Sequence, residues 1–224
     1  MGIFRGPNIV TDGLVFAVDA GSERSYPGSG TTVTSLVGSN TGTLTNGVAF
    51  STDNGGTWEF DGVDDNIQLG NVSSIKNTTT GTISFIFKTS TTSPKFPWGW
   101  WGNTSNYMRM DIRGNGTLAF ITEVGNVGNS ITSTATSPLD TWTHCDITQD
   151  GTNSRMYVNG VLQSGTGNST WFGTHPTLNL YIAYHLSWGG YDFEGYISTF
   201  KIYNKALSQA EITQNFNAQK SRFA

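Results

Sequence analysis

The chain has 224 residues, of which 36% are hydrophobic and 12% are charged, and its formal net charge is −4. A chain of this size can bury one substantial core, and a single domain is usual at this length when the fold is all-β. The negative charge argues against a nucleic-acid binder, which needs clustered Lys and Arg to neutralise phosphates. The single cysteine, Cys145, excludes an intramolecular disulfide and a cysteine-built zinc site.

The first residues, MGIFRGPN, precede the first strand signal. We predict that residues 1–11 form an N-terminal arm and that residues 12–224 form one domain. A free terminus is disordered unless something ties it down, so we expect this arm to be ordered by docking onto a partner. The candidate anchor residues are Ile3, Phe4 and Arg5. The N-terminus lacks the apolar region of a secretory signal, and no run approaches the length of a membrane span. We therefore expect a protein that is made in the cytoplasm and has no membrane partner.

Short alternating segments bounded by Gly, Asn, Ser, Thr or Pro run through the chain. A period of two is typical of strands in an antiparallel sandwich or barrel. A stretch rich in Gly, Ser and Thr, residues 28–46, is predicted to be a long surface loop. The predicted strands cover residues 14–19, 57–60, 66–69, 81–89, 107–112, 117–122, 141–149, 154–158, 161–163, 178–184 and 195–203.

Two Asn-Gly pairs separate neighbouring predicted strands, Asn115-Gly116 and Asn159-Gly160. Both central residues of a type I′ turn need positive φ, which Asn and Gly tolerate best. We predict a type I′ turn at each pair.

One helix, over about residues 208–219, is predicted to close the chain. Ser208 and Glu211 have the spacing of a capping box, in which each side chain hydrogen-bonds the backbone NH of the other residue. Leu207 and Ile212 are placed to form the hydrophobic staple that often accompanies such a cap.

Four acidic side chains, Glu59, Asp61, Asp64 and Asp65, lie in the stretch TWEFDGVDDNIQLG. We interpret the stretch as a hairpin with the aspartates at its bend, because Asp side chains bond nearby backbone NH groups. Asp61, Asp64 and Asp65, together with Asp19, are also candidate ligands for a structural Ca²⁺ ion, since hard cations bind carboxylate oxygens.

Aromatic residues are concentrated in the string FPWGWWGNTSNY and recur in later loops. Aromatic faces stack on sugar rings and also anchor protein interfaces. If the string is extended, Trp98 and Trp100 share one face and Trp101 lies opposite, so at least one ring should be available to a partner. The alternative is that one or two rings fill the core, because Trp is usually mostly buried. The candidate ligand- or partner-binding residues are Trp98, Trp100, Trp101, Tyr107, Trp188 and Tyr191.

Five segments are similar to successive landmarks of the concanavalin A-like lectin/glucanase superfamily, and in particular of its laminin G-like jelly roll. They are GLVFAVDAG, WEFDGVDDNIQLG, TISFIFKT, WTHCDITQDGTNSRMYVNGVLQSG and FEGYISTFKIYNKALSQAEITQNFNAQK. The resemblance implies an all-β sandwich of two antiparallel sheets with the C-terminal helix against one side. It also lowers the expectation of calcium, because Ser198 stands where many relatives have an aspartate that helps to hold the ion.

The resemblance also bears on enzyme activity, because glucanases of this superfamily carry a Glu-x-Asp-x-x-Glu strand. The nearest string here begins at Glu59 and ends in Asp64, and Gly62 should break the strand before Asp64. A retaining pair needs carboxyl groups about 5 to 5.5 Å apart on a rigid support. We therefore predict no catalytic residue and no enzyme activity.

The opening DGLVFAVDAGSERSYPGSGTT and the ending QNFNAQKSRF resemble structural proteins of tailed bacteriophages, particularly marine and cyanobacterial ones. This narrower resemblance implies a non-enzymatic component of the virion, such as a capsid decoration, a head fibre or a tail-associated adhesin. Its partners would be viral capsid or tail proteins, host-surface glycans or further copies of itself. The alternatives are a lectin-like carbohydrate-binding protein and, less favoured, a glycoside hydrolase.

Overall fold

The computed structural model describes residues 8–72, 74–75, 78–103, 105–168, 170–172, 179–183 and 190–224. In this part of the chain, two antiparallel sheets of eight strands each form a sandwich, and one α-helix lies near the C-terminus. The predicted all-β jelly roll is confirmed. No helix within the described residues combines the length and the apolar character that crossing a membrane requires.

The first sheet contains the strand nearest the N-terminus and the strand nearest the helix. Its strands are β1 (Leu14–Asp19), β4 (Ala49–Ser51), β5 (Thr57–Asp61), β7 (Gly81–Thr89), β12 (Thr143–Gln149), β13 (Asn153–Val158), β14 (Val161–Gly167) and β16 (Glu194–Tyr203). They are hydrogen-bonded in the order β14, β13, β12, β7, β16, β5, β4, and β1 also pairs with β16.

The second sheet contains the aromatic string. Its strands are β2 (Thr32–Thr34), β3 (Thr41–Thr45), β6 (Asn66–Gly70), β8 (Lys95–Asn103), β9 (Asn106–Ile112), β10 (Thr117–Val124), β11 (Val127–Thr136) and β15 (Asn179–Ile182). The order across the sheet is β11, β10, β9, β8, β15, β6, β3, β2.

Large aromatic rings fill the space between the two sheets. Phe85 on β7 and Phe200 on β16 belong to the first sheet, and both contact Trp98 on β8 of the second sheet, with ring centroids 6.3 and 6.0 Å apart. All three side chains are almost completely buried. Burying a side chain of this size stabilises a fold by about 1.5–3 kcal/mol, so these contacts hold the two sheets together.

The helix α1 (Gln209–Gln219) packs on the outer face of the first sheet. The predicted capping box is present, because the Ser208 hydroxyl accepts from the Glu211 NH and the Glu211 carboxylate accepts from the Ser208 NH at 2.9 Å. Ile212 and Leu207 are buried in one small cluster with Tyr203 of β16. The predicted C-terminal helix is therefore confirmed, with a first helical residue one position later than expected.

The segment before β1 is attached to the helix. The backbone NH of Val10 donates to Asn215 Oδ1 at 2.8 Å, and the Tyr203 hydroxyl donates to the Val10 carbonyl at 3.1 Å. Residues 8–11, which the sequence assigned to the arm, thus pack against the domain. The candidate anchor residues Ile3, Phe4 and Arg5 lie outside the described residues.

Five strands lie where the sequence predicted none, namely β2, β3, β4, β8 and β11. The predicted loop over residues 28–46 contains β2 and β3, which are short and lie at the edge of the second sheet. Strand β8 contains Pro97 and Gly99, which ordinarily argue against a strand inside a sheet. A register shift between Lys95 and Trp98 accommodates the proline.

One of the two predicted turns is confirmed and the other is wrong. Asn159 and Gly160 both have positive φ, at 50° and 79°, as a type I′ turn requires. At the other pair Gly116 has a φ of 80°, but Asn115 is not in the left-handed region. The Asn115 side chain instead accepts from the Thr117 NH at 3.1 Å, which stabilises a different turn.

The predicted hairpin around the acidic stretch is also wrong. Strand β5 pairs with β4 and β16 in the first sheet, whereas β6 pairs with β3 and β15 in the second sheet. Residues 61–65 therefore connect the two sheets. The mistake has a physical cause, because two neighbouring strands of a sandwich show the same alternation whether they pair with each other or cross to the opposite sheet.

Candidate functional site

Two of the candidate tryptophans belong to the core. Trp98 and Trp100 are completely buried between the sheets, where they contact Phe120 and Phe172. The predicted alternation is correct, since Trp101 lies on the other face of β8. Because β8 is hydrogen-bonded on both sides, by β9 and β15, the inward rings of Trp98 and Trp100 do not reach a surface ligand.

The outer face of the second sheet carries polar and aromatic side chains that point away from the core. On β9, Met108 and Met110 face the core, so Tyr107, Arg109 and Asp111 face outward. Backbone pairing across the sheet aligns one outward row of five residues, which consists of Gln68, Tyr181, Gly99, Arg109 and Ile121.

Gly99 has a specific role in this row. A Cβ atom at position 99 would lie 2.1 Å from Nε1 of Trp101, so the indole ring of Trp101 occupies the space above the glycine. A side chain at this position would displace that ring. The glycine thus brings Trp101 close to Tyr107, with ring centroids 5.2 Å apart.

Arg109 lies among three aromatic rings. Its guanidinium carbon is 4.6 Å from the ring centroid of Phe96, 4.9 Å from that of Tyr107 and 5.9 Å from that of Trp101. Its Nε donates to Asp111 Oδ1 at 2.6 Å. Cation–π contacts of this kind strengthen when the charge is shielded from water, and Arg109 is buried.

Two more groups extend this arrangement to the solvent. The Tyr107 hydroxyl donates to Glu123 Oε2 at 2.8 Å, and Tyr191 stacks on Phe96 with ring centroids 4.9 Å apart and planes within 6°. Tyr191 is exposed, whereas Tyr181 is half-buried. We call the set Phe96, Trp101, Tyr107, Arg109, Tyr181 and Tyr191 the aromatic–arginine face.

Burial affects the titration of two groups in this region, Tyr107 and Asp111. It raises the pKa of the Tyr107 hydroxyl, and the hydrogen bond to Glu123 acts in the same direction. It also raises the pKa of Asp111, although the adjacent Arg109 opposes this. The ion pair between Arg109 and Asp111 is therefore held in a partly dry environment next to the rings.

The sequence identified only part of this face. Trp101, Tyr107 and Tyr191 were among the predicted binding residues, whereas Arg109 and Tyr181 were not. The alternation in YMRMDI is the signal for Arg109, since the methionines mark the core side of the strand. Trp188 lies outside the described residues.

The three candidate metal ligands do come together. Asp61, Asp64 and Asp65 each offer a carboxylate oxygen, and these oxygens all lie within 4.8 Å of one another. Asp65 is buried, which raises its pKa, and its Oδ2 accepts from the Asp61 NH at 3.1 Å. The Asp61 carboxylate accepts from the Val63 NH at 2.9 Å, as expected of a bend. The three aspartates remain a candidate calcium site.

Asp19 is not a member of that group. Its carboxylate accepts two hydrogen bonds from Arg222 Nη1, at 2.8 and 3.0 Å. Ser198, which stands where the resemblance implies an aspartate, donates to the Gly56 carbonyl at 2.9 Å. The expected convergence of Asp19 with the acidic bend is therefore wrong, because an arginine near the C-terminus pairs with it instead.

The acidic string on β5 does not continue along one strand. Strand β5 ends at Asp61, and Gly62 turns the chain with a φ of 77°. Glu59 accepts a hydrogen bond from the Tyr196 hydroxyl at 3.0 Å. Asp64 thus lies beyond the strand that carries Glu59 and Asp61, as the sequence predicted.

Several solved structures share this fold at low sequence identity. Domain 4 of AbnA, a GH43 extracellular arabinanase from Geobacillus stearothermophilus in complex with arabinotriose, matches with a TM-score of 0.77 and 15% identity over 91% of this chain and 98% of that one. The CBM40 of the Ruminococcus gnavus IT-sialidase, bound to α2,3 sialyllactose, matches with a TM-score of 0.62 and 16% identity over 69% and 93%.

A toxin domain is also similar. The binding domain of Paraclostridial Mosquitocidal Protein 1 matches with a TM-score of 0.73 and 16% identity over 92% of this chain, which spans 52% of the length of that domain. A search of curated protein sequences finds no significant match.

A sequence-family model matches residues 60–213, which run from the end of β5 into helix α1. The matched part includes both the acidic bend and the aromatic–arginine face. The chain belongs to the concanavalin A-like lectin/glucanases superfamily.

Proposed function

We propose that this domain is a non-enzymatic, lectin-like carbohydrate-binding module whose ligand lies on the aromatic–arginine face. The observation that carries the proposal is the placement of the exposed Tyr191 and the half-buried Tyr181 beside the buried Arg109 and Trp101. Aromatic faces stack on the apolar side of a sugar ring, while hydroxyl, amide and charged groups bond its hydroxyls.

The rigidity of the face supports this role. Arg109 is held by Asp111, by the ring of Phe96 and by the ring of Tyr107, and Trp101 lies over Gly99. Side chains that are already ordered lose little entropy when a ligand binds. Gln68, next to Tyr181 in the same row, is exposed and offers an amide for a sugar hydroxyl.

The charges near the face favour a neutral sugar. Arg109 is already paired with Asp111, and Glu123 adds a further carboxylate beside Tyr107. An acidic sugar would have to approach these two carboxylates. The arabinotriose bound by the AbnA domain is a neutral ligand on the same fold, and we propose the same class for this chain.

The finer proposal is that the module works on a virion, as a capsid decoration, head fibre or tail-associated adhesin. It is supported by the similarity of the opening and ending segments to phage structural proteins. In this hypothesis viral capsid or tail proteins hold the N-terminal arm, and self-association adds avidity. The aromatic–arginine face is then directed at host-surface glycans.

The two parts of the proposal are tested separately. Binding of the purified domain to a panel of neutral and sialylated oligosaccharides tests the carbohydrate part, and we expect binding to neutral members only.

Deleting Met1–Gly6 tests the arm, because the described contacts of the N-terminal segment begin at Asn8. The shortened protein should keep its melting temperature but be lost from particles, and full incorporation would refute the anchor.

A further inference from the structure

Lys201 is a buried cation on the opposite side of the molecule from the aromatic–arginine face. It lies on β16, and its neighbours Phe200 and Ile202 face the core, so its side chain points to the outer face of the first sheet. Only 4% of Lys201 is exposed. Its Nζ donates to Thr199 Oγ1 at 2.9 Å, and it forms no salt bridge with any described carboxylate.

This lysine lines a cavity of about 330 Å³ between β1, the segment before β1 and the end of helix α1. Most of the wall is aliphatic and comes from Ile9, Leu14, Leu36 and Ala218. A cavity of this volume falls within the range of small-molecule sites. An aliphatic chamber with one ammonium group on its wall is complementary to an amphiphilic anion.

A second polar group in the cavity lacks a partner. Oε1 of Gln219 is buried and has no hydrogen-bond partner in the described part of the chain. Rotation of this side-chain amide by a half turn would present its NH₂ group in place of the oxygen. Lys201 and Gln219 together could then donate to the two oxygens of one carboxylate.

The other charged groups around Lys201 are Asp19, Asp146 and Arg222. Asp19 and Arg222, which also line the cavity, pair with each other. Asp146 is fully buried on β12, which β7 separates from β16, and its Oδ1 lies 3.3 Å from Nε2 of His144. Burial lowers the pKa of Lys201 to about 8, while Asp19 and Asp146 oppose this shift. At neutral pH the ammonium form therefore prevails, and a buried ammonium is costly unless an anion pairs with it.

We propose that this cavity binds a small aliphatic carboxylate, with the carboxylate on Lys201 Nζ and the hydrocarbon chain against Ile9, Leu14 and Leu36. The site is independent of glycan binding, because it lies on the other sheet. Water molecules alone are the competing occupant, and the experiment separates the two.

Thermal unfolding in butyrate and in butyramide is the first test. Butyramide has nearly the same shape but no charge, so only butyrate should stabilise the protein through Lys201. At ten times the dissociation constant, butyrate should raise the melting temperature by about 3–5 °C. Lys201→Met should abolish this rise. Lys220→Met, which replaces an exposed lysine at the end of helix α1, should retain it. Equal effects of butyrate and butyramide, or an unchanged response in Lys201→Met, would overturn the proposal.

A measurement on the unaltered protein tests the proposal even if Lys201→Met fails to fold. In protein with ¹⁵N-labelled lysine side chains, butyrate should shift one Nζ resonance in a saturable manner and raise the pH at which it titrates. Butyramide should leave that resonance in place. A spectrum in which no lysine resonance responds to butyrate means that the cavity holds only water.

Discussion

Arg222 and Asp19 form a two-bond ion pair that joins the C-terminus to the end of β1, with Nη1 of Arg222 2.8 and 3.0 Å from the two carboxylate oxygens. The same guanidinium donates from Nε to the Asn54 carbonyl at 2.6 Å and from Nη2 to the Gly56 carbonyl at 2.7 Å. One side chain thus satisfies a carboxylate and the backbone oxygens that precede β5. The three segments are far apart in sequence, so this arginine fixes their relative position.

Replacing Arg222 with Met should lower the free energy of unfolding by about 2–3 kcal/mol, because hydrogen bonds to charged groups contribute about 1.5–3 kcal/mol and the acceptors are left without their donor. Arg222→Lys should recover only part of the loss, since an ammonium cannot reach all of these oxygens. Urea denaturation measures both variants. If Arg222→Met and Asp19→Asn lose stability additively in the double variant, the pair is not coupled.

Lys201 should contribute a rise in stability between about pH 8 and 10. Its pKa is about 8 in the folded protein, against 10.5 for an unperturbed lysine, so in this window the unfolded chain binds a proton that the folded chain does not. The cost of burying the charge is present below pH 8 and is relieved above it, by up to about 2–3 kcal/mol at pH 10. The raised pKa of the buried Cys145 thiol acts in the opposite direction from about pH 9, and the raised pKa of Tyr203 does so above about pH 10.

Denaturation curves at pH 7, 8, 9 and 10 measure this slope. Lys201→Met should lack the contribution of Lys201, so its stability should fall relative to that of the wild type as the pH rises from 8 to 10. At pH 7 the variant should be at least as stable as the wild type. If the stability difference between the wild type and Lys201→Met stays constant from pH 8 to 10, Lys201 is not held as a buried cation.

Removal of calcium by a chelator should change the melting temperature by less than about 2 °C. Asp19 is paired with Arg222, Ser198 bonds a backbone carbonyl, and Asp65 accepts from the backbone of the bend. The acidic bend is therefore stabilised by its own hydrogen bonds. A calcium-dependent rise of more than about 5 °C that disappears in Asp64→Asn would show that the bend binds an ion.

The protein should release no reducing sugar from β-glucans or agar-type polymers. Glu59 and Asp61 lie on β5, but Gly62 ends the strand before Asp64. Asp64 therefore does not share a rigid strand with Glu59 and Asp61, so the string does not reproduce a Glu-x-Asp-x-x-Glu strand. Glycoside hydrolysis requires a pair of carboxyl groups that a rigid support holds at a set separation. A reducing-sugar assay with Glu59→Gln as the control decides the point, since activity that is lost in this variant would contradict the prediction.

Local patterns in the sequence predicted much of the local structure, although the type I′ turn at Asn115-Gly116 was wrong. The capping box at Ser208 and Glu211 and the turn at Asn159-Gly160 depend on contacts within a few residues, and both are present. The opposite faces of Trp98 and Trp101 follow from strand alternation alone.

Features that depend on distant partners could not be predicted in the same way. The crossing of residues 61–65 between sheets is decided by pairing with β16 and β15, more than 100 residues further along the chain. The sequence of strand β11 is rich in Ser and Thr and is typical of a loop, but pairing with β10 makes it a strand. Arg109 became a candidate only when the sheet placed Phe96 and Tyr107 around it.

Isothermal titration calorimetry tests whether the carbohydrate site lies on the aromatic–arginine face. A neutral arabino-oligosaccharide is titrated into the wild-type domain and into two tyrosine variants. Tyr191→Ala removes an exposed ring from the aromatic–arginine face, whereas Tyr196→Ala removes a ring from the first sheet. We expect the wild type and Tyr196→Ala to bind alike and Tyr191→Ala to bind about tenfold more weakly, as the loss of one stacking contact of about 1.4 kcal/mol implies. Equal affinity of all three proteins would contradict the placement of the carbohydrate site.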